Sequence, residues 1–343
     1  MSGTNTGRGR TPQRDSHGRP IDYLRISLTD HCNLRCIYCM PEHGAGYVDD
    51  AKLLSASEIE TVARAAAALG FRKIRLTGGE PTLRRDLLDI VGRLAAIDGL
   101  ADLAMTTNGL RLPRLGCDLA SAGLHRVNVH IDTLNEQRLP LLMRWGTVPE
   151  LMAGLEAAED AGLEPLKINA VVVRDYNDAD VAGLARLTLD HPWAVRFIEL
   201  MPIGSGAEAQ VAIDRFVPSS ETAARIEAEL GPLEPVPADG PADEARYHRL
   251  AGAPGRVGFI SPVSQPYCDT CNRMRLTADG RLHLCLLRDD EIDLRPELRD
   301  ADVAGRDERV RDLLRRAVGA KPVGHKLGAG VHTLGRRMHA IGG

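Results

Sequence analysis

Aromatic side chains are scarce, at 3% of the 343 residues. A chain so poor in rings offers few of the stacking platforms on which single-stranded nucleic acid is held. An excess of positive charge is also lacking: 43 Lys+Arg stand against 47 Asp+Glu, a formal net charge of −4. No global field then draws the chain to nucleic acid or to an anionic membrane, and any anionic ligand must be met by local arginines. No apolar run reaches the roughly 20 residues of a membrane span. Residues 1–20, rich in Gly, Arg and Ser, lack the apolar stretch of an export signal and read as a disordered segment. Cysteines are few and odd in number, seven in all. In a large chain without an export signal this points to the cytoplasm, where thiols serve as metal ligands, catalysts or buried apolar groups rather than disulfides.

What is present is a core and an alternation. Hydrophobic residues at 43% and charged residues at 26% suit a soluble globular protein. The length suits a barrel-like domain with an extension, or two domains. Short β-branched runs at Leu24–Thr29, Lys73–Thr77, Asp102–Thr106, Arg126–Ile131, Leu166–Val173 and Ala194–Leu200 alternate with amphipathic helical patterns. Ser55 with Glu58, and Thr147 with Glu150, have the spacing of helix-capping pairs, and Gly70 and Gly162 mark helix ends. Six β/α units predict an α/β fold, an incomplete β/α TIM-type barrel with its parallel sheet left open. Polar and glycine-rich residues gather after each strand, on the face where such scaffolds bind ligands.

Beyond residue 202 the pattern changes. Residues 231–255 read as a loop or linker, Val257–Val263 and Arg273–Leu287 as strands with a turn at Asp279–Gly280, and Arg306–Val318 as a basic helix. The expected division is a disordered segment 1–20, a partial barrel 21–230, and a β-containing C-terminal extension 231–343.

Two cysteine triplets carry the chemistry. Cys32, Cys36 and Cys39 share one loop after the first strand. Three thiolates can grip three irons of a cubane cluster and leave the fourth iron open to a small molecule. Cys268, Cys271 and Cys285 form a second set of three. A structural zinc site, with His31 or His283 as fourth ligand, is the competing reading of each triplet. Cys117, in a helical pattern, reads as a small buried residue. Arg273 and Arg275, two residues apart on a strand, share a face, and guanidinium forks match phosphate oxygens; two solvated arginines on an exposed edge is the plainer alternative.

The first triplet, with Tyr38 before Cys39, resembles the signature of the radical S-adenosylmethionine (SAM) superfamily. The Gly78-Gly79-Glu80 segment ending the second strand is similar to the one that holds the methionine amino group there. From about residue 20 to the C-terminus the chain resembles the GTP 3′,8-cyclases (molybdenum cofactor biosynthesis protein A). The resemblance rests on both triplets, Gly78–Pro81, Thr106–Gly109, Ile198–Met201, Arg273, Arg275 and the Gly342-Gly343 tail.

That resemblance implies two 4Fe-4S clusters, the first on Cys32, Cys36 and Cys39 and the second on Cys268, Cys271 and Cys285. It implies SAM contacts at Tyr38, Gly79, His130 and Met201, and GTP contacts at Arg25, Arg75, Thr106 and Lys167 together with Arg273 and Arg275. Catalytic roles fall to Arg273, Arg275, Gly342 and Gly343, the tail reaching into the site. His130 stands where the family usually carries a serine.

The implied reaction converts GTP to (8S)-3′,8-cyclo-7,8-dihydroguanosine 5′-triphosphate: a 5′-deoxyadenosyl radical takes the C3′ hydrogen and the carbon radical adds to C8. An electron donor is required, and the product passes to cyclic pyranopterin monophosphate synthase. No nucleic acid or membrane is engaged, and a homodimer is compatible. A peptide-modifying radical enzyme with an auxiliary cluster would carry more C-terminal cysteines and need no adjacent arginines; a zinc-stabilised binding protein is the non-enzymatic alternative.

Overall fold

The computed structural model describes residues 10–43, 46–204, 206–240, 242–327 and 336–342. Twelve strands form one sheet: β1 (Tyr23–Ser27), β2 (Lys73–Thr77), β3 (Asp102–Thr107), β4 (Arg126–His130), β5 (Lys167–Val172), β6 (Ala194–Glu199), β7 (Glu234–Val236), β8 (Ala245–Arg249), β9 (Arg256–Ile260), β10 (Arg273–Leu276), β11 (Arg281–His283) and β12 (Glu291–Asp293). Their order is β12-β11-β10-β1-β2-β3-β4-β5-β6-β9-β8-β7. The six predicted units lie at the centre and run parallel, giving the expected open barrel.

The C-terminal strands join both edges of this sheet. Strand β10 pairs parallel with β1, and β9 pairs parallel with β6. The hairpins β10–β11–β12 and β7–β8–β9 then finish each side with antiparallel strands. No local pattern announces these pairings, because the partners lie far apart in the chain.

The strands alternate. Leu24, Ile26, Ile74 and Leu76 are fully buried in one core cluster with Ile59, Val62, Ala63 and Ala66 of the helix Ala56–Ala68. Their neighbours Tyr23, Arg25, Lys73 and Arg75 face the other way, into the barrel, as the period of two requires. Ser55 and Glu58 close a full capping box, whereas Thr147 caps Glu150 N–H in one direction only. Helix Arg306–Gly319 matches the predicted basic helix.

Three readings need correction. Residues 10–20 are not disordered: Asp15 and Arg19 are buried and paired at 2.6 Å, and Arg19 also donates to the carbonyls of Cys268, Pro322 and Val323. Residues 231–255 are not a plain linker, since they hold β7 and β8. The Arg273–Leu287 stretch, by contrast, holds the expected strands, β10 and β11, around a turn at 277–280. Cys117 is exposed, on the outer face of helix Leu112–Ser121. Among the described residues no helix is long and apolar enough to cross a membrane.

Candidate active site

Both cysteine triplets open onto one cavity of about 250 Å³ inside the barrel. Cys32, Cys36 and Cys39 stand at the end of β1 with Gly79, Tyr38, His130 and Met201; Cys268, Cys271 and Cys285 line the same cavity with Arg25, Thr106, Arg273 and Arg275 between. Residues scattered over 260 positions are thereby brought together, and the sequence had singled them all out.

In the first triplet Cys36 is buried and Cys32 and Cys39 are half-buried, and desolvation pushes the thiols of Cys32 and Cys36 up to about 12 and about 11. The loop is fixed from below. A Cβ on Gly79 would lie 2.3 Å from the carbonyl oxygen of His31, and one on Gly78 would lie 2.4 Å from that of Thr29. The two glycines therefore let the β2 end pack against the cysteine loop itself, in addition to leaving Gly79 on the cavity wall. Glu80 borders the cavity too, with its carboxylate engaged by the strand ends. It accepts from Thr82 N and Oγ1, Thr107 Oγ1 and Asn108 N at 2.6–3.0 Å, clamping the β2 and β3 ends together.

His130 Nε2 lies 3.0 Å from the Tyr38 hydroxyl, 3.1 Å from Asp132 Oδ2 and 3.9 Å from Cys36 Sγ. Tyr38 donates to the same Asp132 oxygen at 2.7 Å. Burial opposes charge on His130, but the adjacent Asp132 carboxylate outweighs it and holds the imidazole well above its ordinary range.

The second triplet has a different field. Burial raises Cys285, whereas at Cys271 the cations Lys321 and Arg273 overcome burial and lower the thiol. A hydrogen bond with His325 lowers Cys268. His325 Nε2 lies 2.9 Å from the Pro262 carbonyl, so its Nε2–H donates there and Nδ1 is the acceptor. His283, the zinc ligand considered from sequence, is instead paired with Glu291 at 3.0 Å. Soft sulfur donors in threes, facing a shared cavity, suit iron–sulfur cubanes.

Below this cavity lies a second, of about 350 Å³, lined by the cations Lys73, Arg75, Arg126, Lys167, Arg196 and Arg273 and by the carboxylates Asp22, Asp102, Asp239, Asp243 and Glu244. Burial lowers Arg75 to about 10; burial with Arg25 beside it lowers Arg275 to about 9; burial with Arg196 beside it lowers Lys167 to about 8. Nε of Arg25, Arg75 and Arg273 and Oγ1 of Thr106 are buried without a hydrogen-bond partner. Crowded cations and unmet donors are the physical signature of an anion site.

The tail enters from the other side. Gly342 has φ 72°, and its carbonyl accepts from Arg275. A Cβ there would lie 2.7 Å from Thr77 Cγ2 and 3.1 Å from Ser27 Cβ. Gly343 lies outside the described residues.

The comparisons agree with this geometry. Residues 26–188 match the model of the radical SAM superfamily, and residues 193–327 match Molybdenum Cofactor Synthesis C. A GTP 3′,8-cyclase of Pelotomaculum thermopropionicum is 46% identical over 96% of this chain and 100% of its own length. Those of Heliobacterium modesticaldum and Geobacter sulfurreducens are 45% and 44% identical, over 96% and 92% of this chain and 99% and 94% of theirs.

The chain belongs to the GTP 3′,8-cyclase family.

Solved structures add the fold alone. SuiB of Streptococcus suis superposes with TM-scores of 0.52, bound to S-adenosylmethionine, and 0.53, at 14% and 12% identity, over 79% of this chain and 60% and 62% of SuiB.

Several residues of this family member's lumen were missed from sequence. Arg196, almost fully buried, donates to Asn169 at 2.9 Å and lies 3.7 Å from Glu244. Asn128, with its amide oxygen toward them, accepts from Arg75 and Arg196 at 2.6 and 2.7 Å. An arginine inside the apolar run Ala194–Ile198 was the available signal for the first. Glu244 and Asp239 had none, lying in a Pro-, Gly- and Asp-rich stretch.

Proposed function

We infer that this chain converts GTP to (8S)-3′,8-cyclo-7,8-dihydroguanosine 5′-triphosphate, the radical SAM cyclisation of molybdenum cofactor biosynthesis. Use of SAM and of an iron–sulfur cluster goes with the superfamily; a pair of 4Fe-4S clusters is our reading, supported by two cysteine triplets on one cavity wall. That shared cavity, continued by a cation-lined one, is the observation that carries the proposal.

Cys32, Cys36 and Cys39 would hold the first cluster and Cys268, Cys271 and Cys285 the second. When bound, cluster and SAM supply the 5′-deoxyadenosyl radical that takes the C3′ hydrogen of GTP. Everything else falls to the protein's own residues. Tyr38, Gly79, His130 and Met201 border the first triplet and orient SAM. Arg25, Arg75, Thr106, Lys167, Arg273 and Arg275 hold the triphosphate and nucleoside, with Arg196 beside them. Fixing the ribose against the radical source is a proximity effect, and the enclosed barrel keeps water and stray hydrogen donors away. Gly342 brings the slender tail to Arg275. The division at residue 230, a cytoplasmic location, an external electron donor and delivery of product to cyclic pyranopterin monophosphate synthase belong to this same reading.

Anaerobic incubation of reconstituted protein with SAM, GTP and a reductant tests it. GTP-dependent 5′-deoxyadenosine and the cyclised nucleotide are expected. SAM cleavage indifferent to GTP would point to another substrate, and colourless protein containing zinc would remove the chemistry altogether.

A further inference from the structure

The basic cavity is already partly filled by the protein. Glu244, at the end of the loop joining β7 to β8, points its carboxylate into the lumen. Oε2 lies 2.6 Å from Arg273 Nη2, and Oε1 lies 3.7 Å from Arg196 Nη1 and 4.0 Å from Arg75 Nη1. Asp239, on the same loop, lies 2.8 Å from Lys167 Nζ and 2.6 Å from Arg256 Nη2. Two carboxylates thus occupy Arg75, Arg196, Arg273, Lys167 and Arg256. Glu244 and Arg273 also line both cavities, so this pair stands at the passage between them.

Burial works against charge on Glu244, but Arg273, Arg25, Arg75 and Arg196 overcome it and hold the carboxyl well below its usual range. The anion is therefore firmly held. It nonetheless leaves Nε of Arg25, Arg75 and Arg273 without partners. A single carboxylate with two oxygens cannot satisfy guanidinium groups converging from three strands, whereas a polyphosphate with many oxygens can.

We propose that Glu244, with Asp239, is an internal counter-anion which the triphosphate displaces, and that this competition sets the enzyme's preference for triphosphates over shorter nucleotides. The proposal rests on the nucleotide reading above. A monophosphate brings about two negative charges at pH 7, no more than the two carboxylates withdraw. A triphosphate brings about twice that and meets the unpaired donors as well. Displacement thus favours the longer chain.

The test uses holoenzyme with its clusters reconstituted, under anaerobic conditions. Dissociation constants are measured for GTP, GDP and inorganic tripolyphosphate with the native protein, Glu244→Gln and Glu244→Asp, alongside backbone amide exchange in residues 236–245. Glu244→Gln should tighten tripolyphosphate and GDP by at least about tenfold and narrow the GTP/GDP ratio. Glu244→Asp should behave like the native protein, and amide exchange in the native loop should quicken when tripolyphosphate binds. Unchanged or weaker tripolyphosphate binding by Glu244→Gln, or a loop that becomes more protected with ligand, would make Glu244 a fixed counterion and overturn the proposal. The exchange experiment needs no variant and stands if Glu244→Gln fails to fold. Because tripolyphosphate has neither base nor ribose, its displacement of Glu244 supports the competition even where GTP proves not to be the substrate.

Discussion

The main-chain oxygen of Gly342 accepts a hydrogen bond at 2.5 Å from the guanidinium of Arg275, deep in the lumen. The left-handed backbone at Gly342 and the contacts at Ser27 and Thr77 leave no room for a side chain. Gly342→Ala should therefore lower cyclised product at least about tenfold by shifting the tail, with iron and sulfide content unchanged. Deleting residues 342–343 should abolish product with both clusters intact. Full turnover by the truncated protein would refute a role for the tail.

The proposed pair of clusters implies separable losses. Cys36→Ala and Cys285→Ala should each lower bound iron from about eight to about four per chain. The first should abolish SAM cleavage; the second should retain cleavage but lose the cyclised nucleotide. Metal analysis and electron paramagnetic resonance of anaerobic protein read both, and an unchanged iron content in either variant would remove that triplet as a cluster site.

Nucleotide binding should weaken in alkali. Lys167, pushed down to about 8 by burial and Arg196, is a cation below that pH and loses its charge above it. Asp239 and Tyr247 are its other polar neighbours. The loss of one cation should raise the dissociation constant for tripolyphosphate by up to about tenfold per pH unit above 8. Lys167→Arg, always charged, should remove the break. A flat profile from pH 7 to 9 would take Lys167 out of the anion site.

Glu199 holds the two sequence halves together. Buried at the end of β6, it accepts from the amides of Ser219, Val263 and Ser264 at 2.9–3.0 Å and from the Ser264 hydroxyl. Glu199→Ala would strand these donors, costing about 3 kcal/mol and lowering Tm by roughly 5 °C or more. Thermal unfolding followed by circular dichroism checks this; an unchanged Tm would show that the β6 end does not depend on it.

Much of the barrel was legible because each central strand carries its own period-two signal and each cysteine triplet its own short spacing. Arg25, Arg75, Arg273 and Arg275 could be recognised from motifs. Arg196 could have been, since a guanidinium within Ala194–Ile198 has nowhere to go but the lumen. Glu244 could not, because its role exists only once β8 has paired with β9 and brought Glu244 to the basic cavity. Cys117 was misread since a lone thiol in an amphipathic helix does not reveal which side it takes, and residues 10–20 since the carbonyls that hold Arg19 come from residue 268 onward.

Strand β1 meets β2 almost at once, but its other neighbour, β10, begins only at Arg273. As the polypeptide is synthesised, the edge of β1 stays bare until most of the chain has emerged, Cys268, Cys271 and Cys285 with it. Completion of the sheet at the β1 edge and provision of the second sulfur set are consequently one late event.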